Sequence, residues 1–142
     1  MTPTNTTYRV ERSADGLYVG CYYGVEGVDV YSHPLHRVPW WELLQWQECP
    51  PFETGNNDLG CFVLACSILA HHLGETPAGV WVGPESKTYA RFFRFATEVI
   101  RTQQLEPGEF YIITTETINE WLAMKTPVTN PATQTAPERR AN

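Results

Sequence analysis

Cys61, the histidines and a turn-rich loop are the residues of this chain whose types and spacing could do chemistry. Cys61 follows the loop Gly55-Asn56-Asn57-Asp58-Leu59-Gly60 and opens an apolar run that ends at Gly74. A thiol in the first turn of a helix gains acidity from the helix dipole and the free backbone N–H groups. Cys61 is therefore the candidate nucleophile of a thiol enzyme. A base is harder to supply. His71 and His72 lie on the same expected helix, roughly 15 Å along it at 1.5 Å per residue, so His33 or His36 would have to serve. The reading favoured for Cys61 is a small buried thiol with a packing role.

The loop itself is a ligand candidate, through Gly55, Asn56, Asn57, Asp58 and Gly60. Backbone N–H groups before a helix can cradle a phosphate or carboxylate. Here the Lys and Ser/Thr of a P-loop are missing, and Asp58 adds negative charge where an anion would sit. His33-x-x-His36 with Cys49, and the pair His71-His72, raise the question of a metal. Adjacent helical residues point about 100° apart and do not share an ion readily, and neither spacing matches a zinc signature. No metal and no cofactor are expected. Cys21, Cys49, Cys61 and Cys66 form no C-x-x-C pair, so the thiols are expected to be free.

Three indoles stand out for binding. Trp40, Trp41 and Trp46 fall within one short stretch between Pro39 and Pro50-Pro51, more than one face of a short element can bury. Aromatic side chains of this kind anchor interfaces. They are the expected interaction residues.

The elements that must position these groups follow from the pattern of the chain. With 142 residues, 42% hydrophobic and 18% charged, the sequence suits one ordered domain with an ordinary core. Residues 1–7 and 126–142 are rich in Thr, Pro, Asn and Ala and are expected to be disordered arms, leaving a single domain over 8–125. Leu17–Tyr23 and Val28–Tyr31 read as a hairpin around Gly24-Val25-Glu26-Gly27. Leu59–Leu73 reads as a helix apolar on nearly every side, with Asp58 as N-cap and Gly74 as left-handed stop. Glu85–Gln104 is amphipathic: Tyr89, Phe92, Phe93, Ala96, Val99 and Ile100 share one face, and Lys87, Arg91, Arg94, Glu98 and Arg101 the other. Glu98 is spaced to pair with Arg94 or Arg101, so that basic stripe reads as a solvated face. Phe110–Ile113 reads as a strand, with Thr115 as N-cap of a last helix carrying Ile118, Trp121 and Leu122. The expected fold is α+β: a small antiparallel sheet, made of the N-terminal hairpin and a later strand, packed against about three helices.

Charge and hydropathy narrow the function classes. The net charge is −6; Lys125, Arg139 and Arg140 against Glu138 give residues 125–142 a charge of +2 and leave −8 on residues 1–124. An ordered body so acidic repels a phosphate backbone, which disfavours nucleic acid as a partner. No apolar run approaches the roughly 20 residues that cross a bilayer, and the N-terminus has neither a basic nor an apolar signal region. No membrane association and a cytoplasmic location are the expectations.

The segment from Phe52 to Gly74 resembles an uncharacterised family of small prokaryotic proteins common on phages, plasmids and other mobile elements. Its recurrent pattern is Phe-Glu-Trp-Gly-Tyr-Gly-Gly-Ser-Gly-Pro-Ala-Gln-Leu-Ala-Leu-Ala, followed by a helix ending in His-Leu-Gly. Phe52, Glu53, Gly55, Gly60, Leu64, Ala65, Leu69 and His72-Leu73-Gly74 fit that pattern. Tyr22-Tyr23-Gly24, Val28-Asp29-Val30, Glu98-Val99-Ile100 and Ile118–Trp121 extend the likeness outward. Thr54 stands where the family has Trp, Asn56-Asn57-Asp58 where it has Tyr and small residues, and Cys61 where it has Pro. The resemblance implies a mobile-element protein, and with the Trp cluster it suggests a non-enzymatic protein that binds a host protein, such as a component of a defence system. The alternative is a thiol-dependent enzyme using Cys61.

Overall fold

The computed structural model describes residues 5–25, 28–38, 51–75 and 86–125. Trp40, Trp41, Trp46 and Cys49, and the tail 126–142, lie outside the described residues.

Alternation of apolar and polar side chains builds the sheet. Strands β1 (Asn5–Ser13), β2 (Gly16–Val25), β3 (Val28–Pro34) and β4 (Phe110–Thr114) form an antiparallel sheet in the order β3-β2-β1-β4. Tyr8 and Val10 of β1, Val19, Cys21 and Tyr23 of β2, and Ile113 of β4 all point inward and are buried. β1 was not anticipated as a strand. It begins at Asn5, so residues 5–7 belong to the sheet instead of to a disordered arm, and Thr6 pairs with Tyr23. Its partners explain why it orders: β1 is central, bonded to β2 on one side and β4 on the other. The β2–β3 hairpin forms as expected, with a register irregularity between Tyr23 and Gly24.

Helices cover the inner face of the sheet. Helix α1 (Gly60–Leu73) is buried from Gly60 through Ala70, as its all-round apolar sequence requires. Gly74 ends it in the left-handed conformation, φ 74°, with the Glu75 N–H donating to the Ala70 carbonyl. Helix α2 (Lys87–Phe95) is capped by Ser86, whose hydroxyl accepts from the Tyr89 N–H and donates to Glu75. Glu75 also accepts from the backbone N–H groups of Lys87 and Thr88, tying the end of α1 to the start of α2.

The helix expected over 85–104 does not run on as a single α-helix among its described residues. After Phe95 the chain makes a π-helical turn, Ala96–Ile100. The apolar face also differs from the sequence expectation, already within α2: Phe92 and Phe95 are buried, with Ala96 and Ile100 beyond them, whereas Phe93 is exposed and stacks on Phe62 at 5.2 Å. Arg94 and Glu98 pair at 3.5 Å as their spacing suggested.

Helix α3 (Thr115–Lys125) follows β4 directly. Thr114, not Thr115, caps it, its hydroxyl accepting from the Thr117 N–H. The Thr115 hydroxyl instead bonds both backbone groups of Thr6, fastening α3 to β1. Ile118 is fully buried, and Trp121 meets the Phe95 ring edge-on at 5.0 Å. The result is the expected α+β fold. Among the described residues no helix is long and apolar enough to cross a membrane.

Candidate functional site

Among the described residues two places that hold a cysteine among polar groups stand out, and they differ in kind. The first is the loop before α1. Gly55 adopts φ 77° and donates its N–H to the Ile100 carbonyl. Asn56 Oδ1 accepts from the Asp58 N–H, and Asp58 Oδ1 accepts from the Gly60 N–H at 2.7 Å. Asp58 thus caps the helix through one N–H, while Leu59 occupies the formal cap position. The Cys61 and Phe62 N–H groups donate to the carbonyls of Asp58 and Leu59. These donors, which a phosphate would need, are consumed within the loop.

Cys61 is fully buried. Its Sγ donates to the backbone oxygen of Asn56 at 3.3 Å and lies 3.4 Å from Asn56 Oδ1. Burial pushes the thiol above its ordinary value, with Glu53 and Asp58 adding to the effect against the opposing pull of the Asn56 contact and Arg101. That direction is opposite to what activates a cysteine nucleophile.

Around the loop the packing is close. A Cβ on Gly60 would stand 2.1 Å from the Pro51 carbonyl oxygen, so only glycine fits there. Thr54 is buried with its hydroxyl 2.9 Å from the carbonyl oxygens of Ile100 and Gln103 and 2.8 Å from the Tyr111 hydroxyl. Arg12 of β1 reaches across to Glu53 at 2.5 Å.

The second place was not anticipated. The sheet register sets Tyr8 of β1 opposite Cys21 of β2, and Cys21 opposite His33 of β3. All three therefore lie in one row across three strands. Above them the last turn of α1 brings down His71. The Tyr8 hydroxyl lies 2.7 Å from His71 Nδ1, and the Tyr23 hydroxyl lies 2.7 Å from His33 Nε2 and also contacts His71 Nε2. His33 Nδ1 is 2.7 Å from the Pro34 carbonyl, to which it can only donate.

With both imidazoles neutral, one arrangement of protons satisfies all four contacts. His33 Nδ1–H donates to Pro34 O, so Nε2 is the acceptor of the Tyr23 O–H. The Tyr23 oxygen then accepts from His71 Nε2–H, and His71 Nδ1 accepts from the Tyr8 O–H. Burial suppresses charge on Cys21, Tyr8 and His71. It pushes Cys21 up to about 12, and it raises Tyr8 far above the usual phenol value with help from Cys21 and Tyr23. His71 is lowered, first by burial and then by repulsion from His33, His72 and His36.

Cys21, His33 and His71 each offer one ligand atom, and these atoms all lie within 4.8 Å of one another. The pairings weighed from the sequence are thus not the ones the fold assembles. His33 and His36 stack at 6.1 Å between ring centroids. His72 turns away to Asn119 at 2.8 Å. His33 and His71 converge instead on Cys21, a residue no spacing rule connects to either. One signal was present. Asp15-Gly16 between the alternating stretches Tyr8–Ser13 and Leu17–Tyr23 marks a tight hairpin, but only the register does the rest: the turn is Ala14-Asp15, which pairs Ser13 with Gly16 and Tyr8 with Cys21, whereas a turn centred on Asp15-Gly16 would set Tyr8 opposite Tyr23.

No family model matches the chain, and neither a curated protein nor a solved structure matches it. The likeness noted for Phe52–Gly74 rests on its own residues.

Proposed function

We propose that the protein acts by binding a protein partner instead of by catalysis. The observation that carries this reading is the outer face of the sheet. The helices lie against the opposite face, and no described element covers this one. Tyr18, Ile112 and Phe110 stand on it 59%, 50% and 47% exposed. They lie in adjoining rows, because Glu11 of β1 pairs with both Tyr18 and Phe110, and Arg9 pairs with Ile112. The Arg9 guanidinium covers the Phe110 ring at 3.9 Å, so a cation and an aromatic face sit side by side on this surface. Beside them a groove of about 440 Å³ runs over Gly20, between Tyr18, Tyr22, Ser32 and Pro34. Exposed aromatic and aliphatic groups flanked by charge are the usual makings of an interface.

Trp40, Trp41 and Trp46 supply further anchors in this reading. The acidic body argues for a protein over a nucleic acid. The likeness to a mobile-element family makes a host protein, such as a defence component, the partner class. The rival reading, a thiol enzyme using Cys61, has against it a fully buried sulfur and a raised thiol pKa.

The test starts from a partner captured from the native host and then purified. Its affinity for the wild type is compared with that for a Tyr18→Ser/Ile112→Ser double variant. Both sites are half exposed or more, so the fold should survive. Loss of two anchors is expected to weaken binding about 100-fold. Equal affinity for both proteins would remove the sheet face from the account. Loss of biological activity on Cys61→Ala, with binding intact, would restore the enzyme.

A further inference from the structure

We propose that Cys21, His33 and His71 form a binding site for a thiophilic d-block ion of the Zn²⁺ or Cu⁺ class, clamping the β2–β3 edge of the sheet to the end of α1. Three observations carry this. The donor set is one thiol and two imidazoles, the combination that suits zinc and copper and is a poor match for magnesium or calcium. The ligand atoms come from three different elements, β2, β3 and α1, and already lie within 4.8 Å of one another. Zn–S and Zn–N bonds of about 2.3 and 2.0 Å set tetrahedral ligand atoms roughly 3.5 Å apart. Closure therefore needs side-chain shifts of about 1 Å, within the reach of χ adjustments.

The third observation concerns the groups behind the ligands. A metal-bound histidine almost always donates its remote N–H to an oxygen, which fixes the ring. Both rings have that oxygen in place: Pro34 O lies 2.7 Å from His33 Nδ1, and the Tyr8 hydroxyl 2.7 Å from His71 Nδ1. Both Nε2 atoms consequently face inward, where the Tyr23 hydroxyl now holds them. On binding, Tyr23 turns off the imidazoles and its oxygen stands at the fourth position. His71 moves its proton from Nε2 to Nδ1 and donates to Tyr8. Cys21 loses its S–H proton to solvent as the metal–sulfur bond forms, so one proton is released per ion.

Cys21 and Tyr8 are fully buried and Tyr23 nearly so. The two histidines are half-buried, and with the Tyr23 oxygen in the fourth position the product is a cross-link that leaves no open coordination position for a reaction. Ion binding should raise the melting temperature, because only the native state assembles the ligands.

The experiment uses untagged full-length protein stripped with a chelator and titrated with Zn²⁺, and separately with Cu⁺ under reducing, anaerobic conditions. The expected result is one ion per chain, one proton released, and a higher melting temperature. His33→Gln, at a half-buried strand end, should weaken the ion at least 100-fold while leaving the metal-free protein folded by circular dichroism. Cys21→Ala should do the same, and Cys61→Ala and His36→Ala should bind like the wild type. Binding of either ion that is lost in both His33→Gln and Cys21→Ala supports the site, and the tighter ion names the metal. Absence of binding by both ions, or affinity unchanged by His33→Gln, overturns it.

Discussion

Two cysteine neighbourhoods face different problems in this fold. Cys61 sits at a helix start inside a loop whose N–H groups, carbonyls and side-chain oxygens bond one another. Cys21 sits mid-strand on a flat row, with a phenol on one side, an imidazole on the other and a second imidazole overhead. The first is a sequence-local arrangement that spends its polar groups on holding the chain. The second is assembled from four distant segments and aims its donors at a common point. Position at a helix N-terminus makes a cysteine look reactive, yet what decides its chemistry is which groups around it remain able to bind something else.

Three substitutions break or sharpen that contrast, taken from the largest effect downward. Gly60→Ala tests whether the loop is structural. Its Cβ would meet the Pro51 carbonyl at 2.1 Å and Glu53 at 2.9 Å, contacts that only backbone movement relieves. A loss of about 3 kcal/mol in denaturant unfolding is expected; an unchanged midpoint would mean the loop is looser than its packing implies.

Tyr8→Phe tests the cluster. It removes the hydroxyl of a fully buried side chain from the half-buried His71 and leaves its Nδ1 without that partner. About 1.5 kcal/mol should be lost at constant m value, while Gly60-side contacts are untouched. A neutral result would show that the phenol–imidazole chain contributes nothing to folding.

The Arg12–Glu53 pair gives the smallest effect and carries a pH signature. Burial raises the Glu53 carboxyl, but the hydrogen bonds from Arg12 and from the Thr54 N–H, with the Arg12 charge, bring it below its ordinary value. A carboxyl depressed in the folded state adds stability above its unfolded pKa, and that stability is lost as pH falls through the folded value. Glu53→Gln should therefore cost about 1 kcal/mol near pH 7, and the gap from wild type should close on acidification below about pH 4. A gap independent of pH would assign the cost to packing.

What the sequence made legible was local. Helix α1 was readable because an apolar run bounded by Asp58 and Gly74 carries both its start and its stop, and β4 because Phe110–Ile113 follows a Pro-Gly turn. The π turn after α2 was not readable, since it leaves composition unchanged, and neither was the exposure of Phe93, which lies about 100° round α2 from the buried Phe92. The strand β1 was half legible, in the alternation of Tyr8 and Val10, but Asn5–Thr7 are ordered by their partners and not by their own propensity: all three pair with β2, Thr6 is also held by Thr115, and Thr7 also pairs with β4. The Cys21–His33–His71 cluster depends on strand register and on which way the end of α1 turns, and neither is encoded in any short spacing. The Trp40–Trp46 segment lies outside the described residues.

The contrast is tested most directly by cobalt(II) substitution, read as the thiolate-to-cobalt charge-transfer band of the stripped full-length protein. One cobalt per chain is expected, with the band retained in Cys61→Ala and abolished in Cys21→Ala. A band that vanishes in Cys61→Ala and persists in Cys21→Ala, or a wild type that develops none, would contradict the assignment of the chemistry to the sheet row beneath His71.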